Sequence, residues 1–583
     1  MKSLSRLVTF IKPYLGSITL SMVLLVCLVI TDLSIPRLIQ TLIDTGIRQR
    51  DMNIILNISL IMLGLTLLSA LLTVSSMLIA VRVSNKVAAD IRRATFVHTQ
   101  SFSFGNFDRL QTGQLLTRMT SDIAQIGQLI FQTMRSFVRA PLMILGSLIL
   151  LAITNWQVAL LMAILMPAAI GVFFIYAAKA QPLFMQVQKK LSRLNTILQE
   201  NLAGVRLIKA FVRADHENKR FGAANVDLMD RSIKTDRMLA FLLPTLRLLV
   251  NMGFVAVIWF GGIRVINESL TVGELVALNN YIFWAMFPLI NLGMMVGFIS
   301  SADASSQRVF EILDSPPEVQ DSPQAVAIAD RKGKVTFEHV SFSYGNGNNE
   351  FVLEDINLIV EPGQKVALVG ATGSGKSTLI NLIPRFYDVS KGKILIDGKD
   401  VKEITMDSLR GDIGIAMQES VLFSGTIREN IRYGKPTASE EEVISVAKIA
   451  QAHDFIMGLP AGYDTLIGQR GVNLSGGQKQ RLAIARALLI KPNVLILDDS
   501  TSSVDLETES RIRDALKNFM ANRTSFIVAQ RISSVIDADK IVVLDRGRIA
   551  GTGTHDELLE TSQIYREIYQ SQLGINGGLS NEK

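Results

Sequence analysis

The sequence predicts a multidomain membrane protein: a six-helix all-α transmembrane domain with long cytoplasmic helical extensions, followed by a soluble α/β domain. Three observations predict it. Of 583 residues, 49% are hydrophobic and 19% charged, below the roughly 25% charged of an average soluble protein. The apolar residues concentrate in the first half, in stretches near or above the ~20 residues that cross a bilayer as a helix. From Lys334 onward strand-like and helix-like runs alternate, the pattern of an α/β domain. This composition excludes a disordered chain. Cys27 is the single cysteine, which excludes a disulfide framework or a Cys-rich metal site. The net charge of +7 suits basic inner loops and requires no nucleic-acid partner.

Six spans are expected, at about 17–38, 54–81, 136–154, 157–178, 240–266 and 275–300. Ser17 to Pro36 holds one charge, Asp32, and Asn53 to Val81 holds none. Lys2, Arg6 and Lys12 precede the first span like a signal-peptide n-region. That span is long for an h-region and lacks a small-residue cleavage site, so it reads as retained. Ser136 to Ala178 contains only Arg139 and is divided by the polar break Thr154-Asn155-Trp156-Gln157. The fifth span carries Arg247 and Arg264; the sixth is uncharged. Arg82 to Arg135 has seven basic residues and Lys179 to Arg237 has twelve, while the opposite connections have few. The positive-inside rule then places both long loops and both termini in the cytoplasm of a multi-pass protein of the cell (inner) membrane. Arg82 to Ala124 and Leu191 to Phe211 keep helical apolar spacing, so the helices should run past the membrane and turn back at short connecting helices.

The transmembrane domain is expected over 1–313. Asp314-Ser315-Pro316-Pro317 stops its last helix and opens a linker over 314–333. The α/β domain then fills 334–575, with strands near Val335 to Phe337, Lys365 to Val369, Lys393 to Ile396, Val494 to Leu497, Thr524 to Val528 and Lys540 to Leu544. Residues 576–583 read as a flexible tail.

The chemistry sits in this second domain. Gly370, Ala371, Thr372, Gly373, Ser374, Gly375, Lys376, Ser377 and Thr378 fit the P-loop pattern G-x-x-x-x-G-K-[ST] between a strand and a helix. Glycines let backbone N–H groups turn in around the phosphates of ATP, Lys376 adds a charge, and the Ser377 hydroxyl is a ligand for Mg²⁺. Asp498, at the end of an apolar strand, supplies a carboxylate for the same ion. About twenty residues earlier, Leu474, Ser475, Gly476, Gly477 and Gln478 form a second phosphate-binding helix start. One P-loop already occupies the domain, so this second clamp makes sense if it grips the nucleotide of another subunit.

With these motifs the sequence resembles the ABC transporter family over nearly its whole length. Leu474 to Gln478 looks like the ABC signature, Gln418 like the Q-loop, which places it among the Mg²⁺ and catalytic residues, Tyr344 like the adenine-stacking aromatic, and Ser500 to Asp505 like the D-loop. Six spans before one ATPase domain resemble the B-type exporter half-transporter, whose short loop helices couple ATP-driven closure to the membrane; Phe107, Asp108, Arg118 and Asp122 in the first loop and Glu200, Gly204 and Phe211 in the second fit that pattern.

Two positions depart from it. The general-base Glu after the Mg²⁺ aspartate is here Asp499, one methylene shorter, and misplacing a catalytic group by about 1 Å can cost on the order of 10²-fold. The switch His is here Gln530, which donates a hydrogen bond but carries no charge. The resemblance therefore implies a chain whose own P-loop site hydrolyses poorly, while its signature completes the site of a partner half-transporter that carries the Glu and the His. That asymmetry resembles heterodimeric multidrug exporters with one degenerate site. Three rival readings stay open at this point: an exporter-fold importer of a metal chelate, a homodimeric low-turnover exporter, and a regulatory protein that uses ATP as a clamp.

Within the membrane Asp32 has two readings, a cation-attracting group in a translocation cavity or a helix-end residue near the interface paired to an Arg. Phe283, Trp284, Phe287, Met294, Met295 and Phe298 form a candidate apolar lining for an amphipathic small-molecule substrate, alongside packing against core or membrane lipid.

Overall fold

The structure, a computed structural model, describes residues 2–328, 331–345, 350–501, 504–529, 531–532 and 535–573, without the side chains at 2, 161, 163, 173, 177, 243, 289–294, 296 and 506. Its residues group into two compact units, Met1–Gln100 with Gly113–Ser315, and Ser101–Thr112 with Pro316–Lys583. The division is not a single cut in the sequence, because residues 101–112 cluster with the second unit.

The first unit is helical. Its long helices are Leu15–Thr41, Met52–Gln100, Arg139–Thr154, Trp156–Ala203, Ala214–Ala240, Leu242–Ile266 and Val272–Asp314. At 49, 48 and 43 residues, Met52–Gln100, Trp156–Ala203 and Val272–Asp314 run well beyond a bilayer-spanning length. Five helical stretches among the described residues, Ser3–Ile47, Met52–Gln100, Thr112–Thr154, Trp156–Ala203 and Ala214–Ile266, are long and apolar enough to cross a membrane. The expected count of six is not reached there. The sixth expected span falls on Val272–Asp314, where several side chains lie outside the described ones.

The polar break is physical. Asn155 leaves the helical region at φ −157°, and its side chain accepts from the N–H groups of Gln157 and Val158, ending one helix and capping the next. Tyr281, Ile282 and Ala285 are fully buried in the core with Met143, Leu151 and Met162. Helices packed on one another at this depth follow from apolar residues recurring around most of each helix.

The second unit is α/β. Its six-stranded sheet runs Arg548–Gly553, Lys540–Asp545, Lys365–Val369, Thr524–Val528, Val494–Asp498, Ile413–Ala416. All neighbours are parallel except the first pair. A separate four-stranded sheet orders Leu353–Val360, Val335–Phe342, Lys391–Ile396 and Lys399–Asp400, in antiparallel pairing. Val366, Leu368, Ile496 and Phe526 are 0% exposed, as near-continuous Val/Ile/Leu strands of a parallel sheet must be. Fully burying each such side chain stabilises by about 1.5–3 kcal/mol.

Candidate nucleotide site

Ligands of open parallel sheets sit beyond the carboxyl ends of the strands. Four neighbouring strands end here with the predicted chemistry. Lys365–Val369 leads into Gly370, Thr524–Val528 leads toward position 530, Val494–Asp498 ends on the acid itself, and Ile413–Ala416 leads to Gln418. Residues far apart in sequence are thereby set side by side.

The loop from Gly370 to Gly375 needs its glycines. Gly375 sits at φ +100°, where a Cβ would also lie 2.7 Å from Leu353. At Gly370, φ +155°, a Cβ would stand 2.2 Å from the Leu544 carbonyl oxygen. The helix Lys376–Leu382 opens directly behind the loop, presenting unsatisfied N–H groups. Lys376 Nζ donates to the carbonyls of Gly370 and Ala371, at 2.9 and 2.8 Å. Burial pushes its ammonium below the usual lysine range, against the attraction of Asp498 and Asp499.

Ser377 Oγ donates to Asp498 Oδ1 at 3.1 Å. Burial holds the Asp498 carboxyl above its usual range, opposed by the Ser377 hydrogen bond and reinforced by the neighbouring Asp499 charge. A hydroxyl and a carboxylate are oxygen donors of the kind a hard divalent cation takes, so the Ser377–Asp498 pair fits Mg²⁺, whereas the Gln418 amide is turned with its N–H toward Asp499.

Asp499 is buried, 8% exposed, with a left-handed φ of +46°, a region where Asp is better tolerated than most residues. Its N–H donates to the Val528 carbonyl at 3.1 Å. Gln418 Nε2 donates to its Oδ2 at 3.4 Å, and Gln480 Nε2 to its backbone carbonyl at 3.5 Å. Gln530 lies outside the described residues, as do positions 502 and 503 of the D-loop.

The signature occupies a different element. Ser475 caps the 14-residue helix Gly476–Leu489. Its hydroxyl accepts from Gln478 N–H at 3.3 Å, while Gln478 Oε1 accepts from Ser475 N–H at 2.9 Å, a reciprocal capping box. Leu474 is buried beneath it. Asp505 caps the next helix, Leu506–Met520, through Thr508 N–H at 2.8 Å, and that backbone bond draws its carboxyl below the usual range. Tyr344 is 45% exposed, and its hydroxyl lies 3.0 Å from Thr378 Oγ1.

Gln480 is a site contact that sequence reading missed. It sits buried on the signature helix and reaches Asp499, 19 residues away in sequence. In the sequence the signal was no more than a second glutamine two residues past Gln478.

In the helical unit, both oxygens of Asp32 are engaged. Arg139 Nη2 donates to one at 2.8 Å and Ser69 Oγ to the other at 2.7 Å. The Arg pairing of the second reading is present, but Asp32 is buried well inside the helix Leu15–Thr41 and does not stand at its end. Phe283 and Phe287 are exposed and stack at 5.4 Å, with Trp284 edge-on to Phe283 at 6.0 Å. Met295 and Phe298 are half-buried; the Met294 side chain lies outside the described ones.

Comparison with known proteins agrees with both units. Residues 18–289 match the ABC transporter transmembrane region and residues 353–502 match the ABC transporter family. The chain is 39% identical over 578 residues to YfiB, an uncharacterized ABC transporter ATP-binding protein of Bacillus subtilis, covering 99% of this chain and 100% of that one. It is 39% identical over 489 residues, 84% of each chain, to a putative multidrug export ATP-binding/permease protein of Staphylococcus aureus. A solved bacterial Atm1-family ABC exporter with ATP bound shares the fold at a TM-score of 0.80 and 28% identity, covering 98% of this chain and 99% of that one.

Proposed function

Because this chain belongs to the ABC transporter family, we propose that it is one half of a heterodimeric, ATP-driven exporter of amphipathic or hydrophobic compounds. Its own P-loop site turns ATP over poorly, and its signature completes the competent site of a partner chain. The multidrug part of the reading is supported by the similarity to the Staphylococcus aureus protein. Both termini lie in the cytoplasm, a reading supported by the basic loops Arg82 to Arg135 and Lys179 to Arg237.

The residues divide the work in this way. The backbone N–H groups of Gly370 to Gly375 and the start of helix Lys376–Leu382 bind the phosphates, and Lys376 swings from the loop carbonyls onto them. Tyr344 stacks on the adenine. Mg²⁺, when bound, neutralises charge on the phosphate oxygens; Ser377 and Asp498 hold it. Gln418 stands beside Asp499 to orient the attacking water. The single observation that carries the asymmetry is the pair of departures at Asp499 and Gln530 beside an unaltered Leu474 to Gln478. A carboxylate one methylene short reaches the water poorly, and Gln530 lacks the imidazole that shares charge with the γ-phosphate.

The test is steady-state ATPase of the chain purified without its partner. It should bind ATP and hydrolyse it very slowly; turnover as fast as that of an exporter with Glu and His in both sites would sink the heterodimer reading.

A further inference from the structure

Residues 101–112 belong to the ATPase unit, and their attachment is built from specific contacts. The short helix Phe104–Arg109 is clamped by Asn106, whose Nδ2 donates to the Pro316 carbonyl and whose Oδ1 accepts from Glu318 N–H, both at 3.0 Å. A Cβ on Gly105 would collide with the Glu318 carboxylate. Phe104 stacks on Phe386 at 4.2 Å and 18°.

The next residue, Tyr387, is where this helix meets the nucleotide residues. Its hydroxyl donates to Asp108 Oδ2 at 2.7 Å. Its ring stands edge-to-face on Tyr344 at 5.2 Å and 88°, and tilted against Phe342 at 5.5 Å. Phe342 is itself edge-to-face with Tyr344 at 4.9 Å. Tyr344 then reaches Thr378, in the first turn behind the P-loop. A continuous set of contacts therefore runs Asp108, Tyr387, Tyr344, Thr378. Burial, then the hydrogen bond to Asp108, pushes the Tyr387 phenol well above its ordinary range, so it stays a donor at any physiological pH.

We propose that Tyr387 is a positioning residue for the nucleotide base: its ring braces Tyr344, and its hydroxyl, held by Asp108, ties the strength of base binding to the helix Phe104–Arg109. The proposal rests on the reading of Tyr344 as the base-stacking aromatic. A half-exposed ring loses rotational freedom when it stacks on a base, and a neighbour that already holds it in place removes part of that cost. Tyr387 needs no contact with ATP to act.

The full-length chain in lipid nanodiscs distinguishes this from plain packing, with MgATP and magnesium tripolyphosphate, which has no base, as the two probes. Tyr387→Phe keeps the ring and should weaken ATP binding about fivefold while changing tripolyphosphate binding less than about twofold. Asp108→Ala should do the same from the other end, and the double variant should be no worse than either single one, since both remove one interaction. Equal losses for both probes, additive losses in the double variant, or no loss of ATP affinity would overturn the proposal. Tyr344→Ala separates the two layers. If it leaves ATP binding intact, the base-stacking reading falls and takes the proposal with it. If it weakens ATP while Tyr387→Phe does not, only the positioning role falls.

Discussion

The P-loop and the signature are two helix starts in one unit, and they are built on different physics. Behind the P-loop, Lys376–Leu382 is short and opens against charge: the half-buried Lys376 at its start and the buried, adjacent carboxylates Asp498 and Asp499 at the end of the strand one removed from its own. The signature helix Gly476–Leu489 is twice as long and capped by its own residues, with no acidic side chain in its first turn. Among the described residues, one start is met by side chains from the ends of two other strands, Asp498 and Asp499 from one and Gln418 from the other; the other start is nearly self-sufficient. Departures from the family pattern fall only on the first kind. A site assembled from distant strand ends has several separate positions at which chemistry can be lost, whereas the signature's role needs only a helix start that a phosphate can approach.

Ser475→Arg should have the largest effect. In the proposed pair it would place a bulky cation where the partner's γ-phosphate approaches, and it removes the cap, so steady-state ATPase should fall by more than about 100-fold. In the proposed heterodimer Lys376→Ala should lie in the middle, with a loss of about tenfold in the same assay, because weaker ATP binding at the proposed slow site would loosen the closed dimer that the partner's site also needs. On the proposed reading that its carboxylate is too short to serve as the base, Asp499→Asn should cost less than about twofold. If Asp499→Asn proved as damaging as Ser475→Arg, the two helix starts would be equally active and the comparison would break.

The smallest effect concerns stability. The Asp498 carboxyl is raised in the fold mainly by burial, so the native state binds this proton more tightly than the unfolded chain does. Stability from this group is therefore present at acidic pH and lost as pH rises toward and through the folded value. At pH 7 Asp498→Asn should raise the melting temperature of the nucleotide-free protein by about 2–4 °C. A lower melting temperature would mean that the Ser377 hydrogen bond outweighs the burial of the charge.

Sequence and structure agree most closely where the signal is local. The P-loop has fixed spacing, so its strand, turn and helix can be read from nine consecutive residues. The break at Asn155 is likewise local: a polar run in an apolar stretch, with a side chain suited to capping. The strands Leu353–Val360 and Arg548–Gly553 were not anticipated. Exposed polar residues alternate with apolar ones in the first, and glycines interrupt the second, so neither has the continuous apolar run of the central strands. Contacts made by topology alone were beyond reach. The Tyr387–Asp108 hydrogen bond joins residues 279 apart, and the Arg139 partner of Asp32 is 107 residues away. In the second case the sequence supplied the right kind of partner without its identity.

The central claim is that this chain's own site is slow because of Asp499 and Gln530, and reversing both changes tests it most directly. Asp499→Glu with Gln530→His restores the longer carboxylate and the imidazole without touching the P-loop or the signature. In the chain purified by itself, steady-state ATPase should rise by at least about tenfold over wild type, with ATP affinity nearly unchanged. A wild-type chain that already hydrolyses ATP rapidly, or a double variant no faster than wild type, would contradict the account.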